Sequence, residues 1–320
     1  MQWGPLEESW LDAICELWNR ELGQHFPMRK ELFMQNCFRD VNVYAPASRI
    51  VRDDAGELCG FIVAKQWQES TYDVQYGEGS GWIQALVVRA DTRNKGLGGQ
   101  LLLHAEASLR EAGVERIYLG RDPWHFFPGV PKALSHTRPW MERRGYTALY
   151  DVHDLVATYH KNEHIVEPTV AEDIQLRLLD HTDKDKMIAF FRACFPGRWA
   201  YEALRYWELN GSGREFIGLV KGEQMIGFCR VNDARSPFIA QNTYWAPSFD
   251  EELGGIGPLG VDPAYRGQGL GVALVEAGVA ELRRRGLTSI VIDWTELVDF
   301  YAKFGFQPWK SYDLMVKSFK

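Results

Sequence analysis

Metal, redox and membrane chemistry have little support in this chain of 320 residues. Its five cysteines, Cys15, Cys37, Cys59, Cys194 and Cys229, form no Cys-x-x-Cys pair and keep no metal-like spacing to histidine. An odd, dispersed count suits a reducing compartment rather than a disulfide framework, and no metal site is expected. All eight histidines lie at or before His181, so any proton transfer beyond that point must proceed without imidazole. No run approaches the ~20 apolar residues of a membrane span. The opening Met1-Gln2-Trp3-Gly4-Pro5 has no basic segment leading into an apolar stretch, and the expected location is the cytoplasm. A net charge of −7 leaves no basic surface for general nucleic-acid binding, although a local basic pocket for a phosphorylated cofactor remains compatible.

What is present is apolar mass for two cores: 46% of residues are hydrophobic and 25% charged. One loop occurs twice, as Arg93-Asn94-Lys95-Gly96-Leu97-Gly98 and as Arg266-Gly267-Gln268-Gly269-Leu270-Gly271. The Arg and both shared glycines recur 173 positions apart, which signals duplication of a whole domain. Each loop follows an apolar strand-like run and opens a helix-like run. Small residues let backbone N–H groups face an anion, and the helix dipole adds partial positive charge. Neither copy has the Gly-Lys-Ser/Thr of a nucleotide triphosphatase loop or the Gly-x-Gly-x-x-Gly spacing of a dinucleotide fold.

The copies read in parallel. In the first, helices are expected over Leu11 to Leu22 and Arg29 to Phe38, and strands over Arg49 to Arg52, Leu58 to Trp67 and Trp82 to Val88. A helix from Gly99 to Glu111 and a strand from Ile117 to Leu119 follow. In the second, a strand at Ile174 to Leu179 precedes a helix from Asp183 to Cys194, with Thr182 as its expected cap. A helix over Tyr201 to Leu209, strands at Glu215 to Val220, Gln224 to Val231 and Ile256 to Val261, a helix over Val272 to Arg285 and a strand at Ser289 to Asp293 complete the set. The domains are expected at 1–163 and 172–320, with a linker near 164–171 that contains Pro168.

After each loop comes an aromatic–x–x–x–x–Gly–aromatic pattern, Trp140 to Tyr146 and Phe300 to Phe306, now 160 positions apart. The first copy therefore carries 13 extra residues, around Asp122-Pro123-Trp124-His125-Phe126-Phe127-Pro128-Gly129-Val130-Pro131. Such a segment is either a lid or pocket wall, or a cover for the seam between domains. Twelve tryptophans are open to the same choice between core packing and an aromatic-lined pocket.

Taken together, Leu259-Gly260-Val261-Asp262-Pro263, the loop that follows and Phe300-Tyr301-Ala302-Lys303-Phe304-Gly305-Phe306 resemble the Gcn5-related N-acetyltransferase (GNAT) family. Leu86 to Arg93 and its loop match as well, and Trp140 to Tyr146 more weakly. The resemblance implies an α/β (α+β) fold of two tandem domains, each a central mixed sheet flanked by helices. Two parallel strands would splay into a V that holds acetyl-CoA, with no metal.

By that resemblance the cofactor pyrophosphate would lie on Arg266, Gly267, Gln268, Gly269, Leu270 and Gly271, and the pantetheine arm on Leu259 and Val261. Leu86, Val88, Arg93, Lys95, Gly96 and Gly98 would serve the first copy. The Leu259 N–H would face the developing oxyanion. Tyr301 would be the general acid, since a phenol with a reference pKa near ~10 holds a proton at neutral pH. The first copy has Met141 there, which cannot donate one; Tyr146, His125 or a water would have to substitute.

The family's usual base position is Gly255 here and Trp82 in the first copy, neither able to take a proton. Glu251 and Glu252 just upstream, or Asp293 at the end of the next strand, are the alternatives. The expected activity is acetyl transfer from acetyl-CoA to the primary amine of a small molecule, by direct attack in a ternary complex, with the second copy catalytic. A non-catalytic acetyl-CoA or CoA sensor and a protein lysine or N-terminal acetyltransferase are the rival readings. Neither a nucleic-acid nor a membrane partner is expected, and a homodimer is compatible with the sequence.

Overall fold

The computed structural model describes residues 1–319. The chain packs as two units. The first holds Met1–Thr71, Gln75–Val152 and Lys310–Lys320; the second holds Tyr72–Val74 and His153–Trp309. These units follow the two sequence copies closely except at their last strands. Residues 153–163 pack with the second unit, and the end of the chain packs with the first.

In the first unit, strands β1 (Gln2–Pro5), β2 (Arg49–Arg52), β3 (Leu58–Gln66) and β4 (Ser80–Val88) join as antiparallel neighbours. β5 (Arg116–Leu119) then pairs parallel to β4. A parallel neighbour needs a crossover, supplied by a helix over Leu97–Glu111 that buries Leu101, Leu102, Ala105 and Leu109 at helical spacing. The chain's last strand, Gln307–Ser318, pairs antiparallel with β5 through Val316, Lys317 and Ser318, and also with the short β6 (Val130–Pro131). The expected helix over Arg29 to Phe38 is α-helical only over Lys30–Phe33 and continues as a π-turn through Phe38.

The long strand β7 (Thr147–Thr158) enters the second unit at His153. There the strand neighbours run from β8 (Ile174–Leu178) through β9 (Phe216–Lys221), β10 (Gln224–Asn232) and β11 (Leu253–Val261) to β12 (Ser289–Thr295). β12 is parallel to β11, and its other side takes up Thr158 to His153 of β7. Helices cover Lys184–Cys194, Arg198–Glu208, Leu270–Arg284 and Val298–Ala302. Asp180, not Thr182, caps the turn before the first of these: its side chain accepts from the Thr182 N–H in a reciprocal capping box with Asp183. Among the described residues no helix is long and apolar enough to cross a membrane.

Each parallel pair holds together for only four residues. β4 and β5 are in register from Ser80 with Arg116 to Ile83 with Leu119; β11 and β12 from Leu253 with Ser289 to Ile256 with Ile292. Beyond those points the strands part, which is the expected V. Each departing strand also carries a bulge against its antiparallel neighbour, at Gln84 in β4 and at Gly257-Pro258 in β11.

Because the end of the chain completes the first unit, a core deletion there should be felt in residues far away in sequence. Met315 is fully buried in the first unit's core. Met315→Ala is expected to cost about 2–5 kcal/mol. Hydrogen exchange should accelerate in Arg116–Leu119 while Ile174–Leu178 stays protected.

Candidate active site

The repeated loop is built alike in both units. Arg93 Nε donates to the Val88 carbonyl at 2.9 Å, and Arg266 Nε to the Val261 carbonyl at 3.2 Å, so the Arg ties each loop to its strand. Asn94 and Gly267 both take positive φ (60° and 79°), as do Gly96 and Gly269 (87° and 78°). This left-handed pair turns the chain into the helix and leaves the loop N–H groups at the helix N-terminus.

The two cradles differ in what stands over them. A Cβ placed on Gly267, Gly269 or Gly271 would meet no atom within 4 Å, so the second loop faces open space. In the first, a Cβ on Gly98 would lie 3.5 Å from Trp140, and one on Gly99 3.4 Å from the Arg144 guanidinium. Arg144 sits 3.6 Å over the Trp140 ring. Arg93 is ion-paired to Glu21, and Lys95 Nζ turns back to the Asp91 carbonyl at 2.9 Å. Leu86 and Val88 lie partly buried on the departing end of β4, as Leu259 does on β11, while Val261 is buried.

Beyond the loops, the splay of the second unit brings three sequence candidates to one place. Asp293 lies on β12 just past the last residue paired with β11. Its Oδ1 is 3.6 Å from where a Cβ on Gly257 would stand, with the Asn242 amide nitrogen 3.8 Å from the same point. Leu259 follows the bulge and pairs with Cys229 on β10. Tyr301 is buried on the helix Val298–Ala302. Burial raises its pKa, and the nearby Cys229 and Asp293 add to the rise, so its phenol holds its proton at neutral pH. Burial also pushes Asp293 up to about 6, against the Arg198 charge and with Glu202 adding to the rise.

Glu251 and Glu252 are elsewhere. They precede the paired end of β11, seven or eight residues before Leu259, roughly 20 Å or more along a strand. Glu251 accepts from Thr288 at 2.7 Å and pairs with Lys161 at 3.2 Å; Glu252 accepts from the Ala234 N–H at 3.2 Å. At Gly255 a side chain has no room, since a Cβ would stand 2.0 Å from Asn242 Oδ1.

The splay of the first unit is filled. Gly120 stands at the position of Asp293, and a Cβ there would be 2.1 Å from the Phe127 carbonyl oxygen. The insertion packs into its own unit: Phe126 stacks on Phe33 and meets Trp18 edge-on, while Phe127 packs on Trp18 and Phe26. His125 is buried, with Nδ1 2.9 Å from the Asp122 carbonyl. Lys65, wholly buried, bridges Asp40 at 2.8 Å and Asp122 at 2.6 Å. Although its burial works against the charge, Asp122 and Asp40 hold it protonated. Gln84, at the bulge, donates to the Trp124 carbonyl at 2.7 Å. Met141 and Tyr146 are both buried core residues.

A polar cluster that the sequence reading missed surrounds the second splay. Glu202, 3% exposed, accepts from Arg198 Nε at 2.6 Å and from Gln241 at 3.3 Å, and lies 3.5 Å from Arg230 Nη1. Asn242 donates to the Gly257 carbonyl at 3.2 Å and accepts from Asn232 at 3.1 Å. Only an i,i+4 Arg–Glu spacing hints at this from the sequence, and that spacing usually marks a solvated helix face.

The comparisons with known proteins agree with this geometry. A profile of the acetyltransferase (GNAT) family matches residues 11–127 and 184–306. The chain belongs to that family. A mycothiol acetyltransferase of Thermobispora bispora is 40% identical over 278 residues, covering 80% of this chain and 79% of that protein. The match to the mycothiol acetyltransferase of Actinosynnema mirum is 36% over 72 residues, about a quarter (24%) of that relative's length.

Among solved structures, the GNAT glucosamine N-acetyltransferase region of a fungal multi-domain GH3 β-N-acetylglucosaminidase superposes with a TM-score of 0.84 at 24% identity. It covers 98% of this chain and 38% of that one. A tandem GNAT protein from the clavulanic acid biosynthesis pathway gives 0.68 at 14% identity, covering 99% and 98%. These two are likenesses of fold.

Gly271 offers a selective probe of the open cradle. A side chain there displaces nothing, so Gly271→Val should keep the fold. It is expected to weaken acetyl-CoA binding by about tenfold or more, a loss of at least ~1.4 kcal/mol read by calorimetric titration.

Proposed function

We propose that this GNAT protein transfers acetyl from acetyl-CoA to the primary amine of a small polar molecule of the amino-sugar class, and that the second unit does the chemistry. The observation that carries this reading is the contrast between the splays. One has an open cradle with Asp293 and Tyr301 beside the parted strands; the other has Gly120 and Met141 and is filled by its own insertion. The relatives named mycothiol acetyltransferase support a small-molecule acceptor, and the fold neighbour described as a glucosamine N-acetyltransferase region is what suggests an amino sugar. The buried carboxylate and amides near Asp293 suit a polar acceptor rather than an apolar one.

The residues of the second unit fit the donor. Gly267 to Gly271 would hold its pyrophosphate through backbone N–H groups, and Leu259 and Val261 would pair with its pantetheine arm. When bound, acetyl-CoA supplies the activated acyl group as a thioester. Asp293 takes a proton from the acceptor's ammonium, leaving a nucleophilic nitrogen. As the C–N bond forms, the Leu259 N–H stabilises the charge on the acetyl oxygen. The C–S bond then breaks, the nitrogen gives up its second proton to solvent, and Tyr301 gives its own proton to the departing thiolate. Asp293 returns its proton to solvent, and Tyr301 is reprotonated from it.

The test is release of free thiol from acetyl-CoA with glucosamine, other small amines and an N-terminal peptide in parallel. Turnover with amino sugars over peptides supports the reading. Peptide turnover alone would replace it with protein acetylation, and binding without turnover of any amine would replace it with a sensor. Asp293→Asn and Tyr301→Phe are each expected to lower kcat by about 10²–10⁴-fold, the usual range for a general base or acid.

Asp293 should also leave a mark on stability. Its folded-state pKa is raised to about 6, so its ionisation weakens the fold as pH rises from the unfolded carboxylate value through 6. Asp293→Asn should therefore melt higher than wild type at pH 8, with the difference vanishing near pH 4. A variant that loses activity while gaining thermal stability would mark Asp293 as functional rather than structural.

A further inference from the structure

Asp293 has cationic neighbours that could silence it. Arg198 opens the helix Arg198–Glu208 and lies 4.6 Å over the ring of Trp294, the residue next to Asp293. Its positive charge is felt at Asp293. A guanidinium that close, free to turn, would form a bidentate pair with the carboxylate, as Arg and carboxylate geometry favours. Among the described residues Asp293 has no ion pair. Instead the Arg198 Nε is engaged by Glu202 at 2.6 Å, four residues along the same helix.

The remaining bonds of Glu202 fix it in that role. Gln241 donates to its Oε1 at 3.3 Å, and Arg230 Nη1 stands 3.5 Å from its Oε2. Arg230 is 1% exposed, with its guanidinium 4.4 Å over Phe238, and its Nε and Nη2 have no hydrogen-bond partner. A cation so poorly satisfied is costly for stability alone. It is accounted for if its task is to hold the Glu202 carboxylate in place.

The other groups around Asp293 come from each packed element. Asn242 bonds its carboxylate, and Tyr301 faces it from the helix Val298–Ala302. On β7, Asp154 accepts from the Trp294 N–H at 3.1 Å, and His153 is in register with Thr295.

We propose that Glu202 is a positioning residue for the reaction: by holding Arg198, with Arg230 as counter-charge, it leaves the Asp293 carboxylate unpaired and able to take the acceptor's proton. This rests on the reading of Asp293 as the base. Glu202→Gln keeps an acceptor oxygen but loses the charge, which weakens the hold of this side chain on the Arg198 guanidinium.

The experiment is the pH profile of kcat/KM for full-length enzyme with the best amine found, taken for wild type, Glu202→Gln, Arg198→Met, the double variant and Asp293→Asn. Wild type should show an acidic limb near pH 6, and Asp293→Asn should abolish it. Glu202→Gln should move the limb down by about one pH unit or more, the size of effect an approaching opposite charge produces. Arg198→Met should move it up. In the double variant Glu202→Gln should add only the smaller downward shift that loss of its own charge produces, because the cation it restrains is gone.

A purely structural Glu202 would leave the limb in place, and one acting only through its own charge would move it equally with and without Arg198; either result overturns the proposal. If Glu202→Gln fails to fold, Arg198→Met alone decides: an unmoved limb overturns it equally. Persistence of the limb in Asp293→Asn would instead overturn the assignment of the base itself.

Discussion

The fold is arranged around the parting of two parallel strands. A sheet is held by its ladder of backbone hydrogen bonds, and releasing neighbours from that ladder leaves polar groups that need new partners. In the second unit the ladder between β11 and β12 stops after Ile256 and Ile292. The bulge at Gly257-Pro258 then re-aims the strand, so that Leu259 and Val261 lie beyond the parallel ladder. Leu259 and Asp293, two of the three residues proposed for catalysis, are within three residues of that point. Asp293 is the first residue of β12 beyond the shared register, and the Gly loop begins five residues after Val261.

The first unit parts its strands at the corresponding residues and uses the gap differently. Gln84 at its bulge bonds the Trp124 carbonyl, and Lys65, Asp40 and Asp122 form a dry ionic knot where the second unit has amides. Lys65 is the register counterpart of Asn232: it pairs across from Trp82 as Asn232 pairs across from Gly255. Buried ion pairs contribute little net stability against apolar replacements. Retaining one here is consistent with descent from a polar site whose groups now satisfy one another. The aromatic insertion completes the closure, and with it Gly120 has lost the space for any side chain.

Much of this was legible in the sequence because it depends on local rules. Glycines, an arginine before them and an aromatic helix after the loop recur at fixed spacing, and spacing survives without knowledge of packing; that the arginine reaches back to its strand was not legible. The change of strands between the copies at the ends of both units was not legible. Thr147–Thr158 and Gln307–Ser318 alternate like many edge strands, and nothing local says which sheet a strand joins. The cluster of Arg198, Glu202, Arg230 and Gln241 was hidden for a related reason. Its members come from one helix, one strand and one short turn, and each alone reads as surface charge or ordinary core.

Asp293, as the proposed base, and its surroundings show why a site of this kind cannot be optimised for stability. Burial lifts its pKa to about 6, which makes it a proton acceptor strong enough to matter at neutral pH, and the same burial makes its charge expensive in the folded state. An arginine placed directly on it would remove that cost and remove the basicity as well. The observed arrangement lies between those limits: a cation is close enough for its field to be felt, yet bonded to a different carboxylate. The first unit took the other course. It set its buried lysine between two aspartates, and Lys65, held protonated there, keeps its proton at neutral pH.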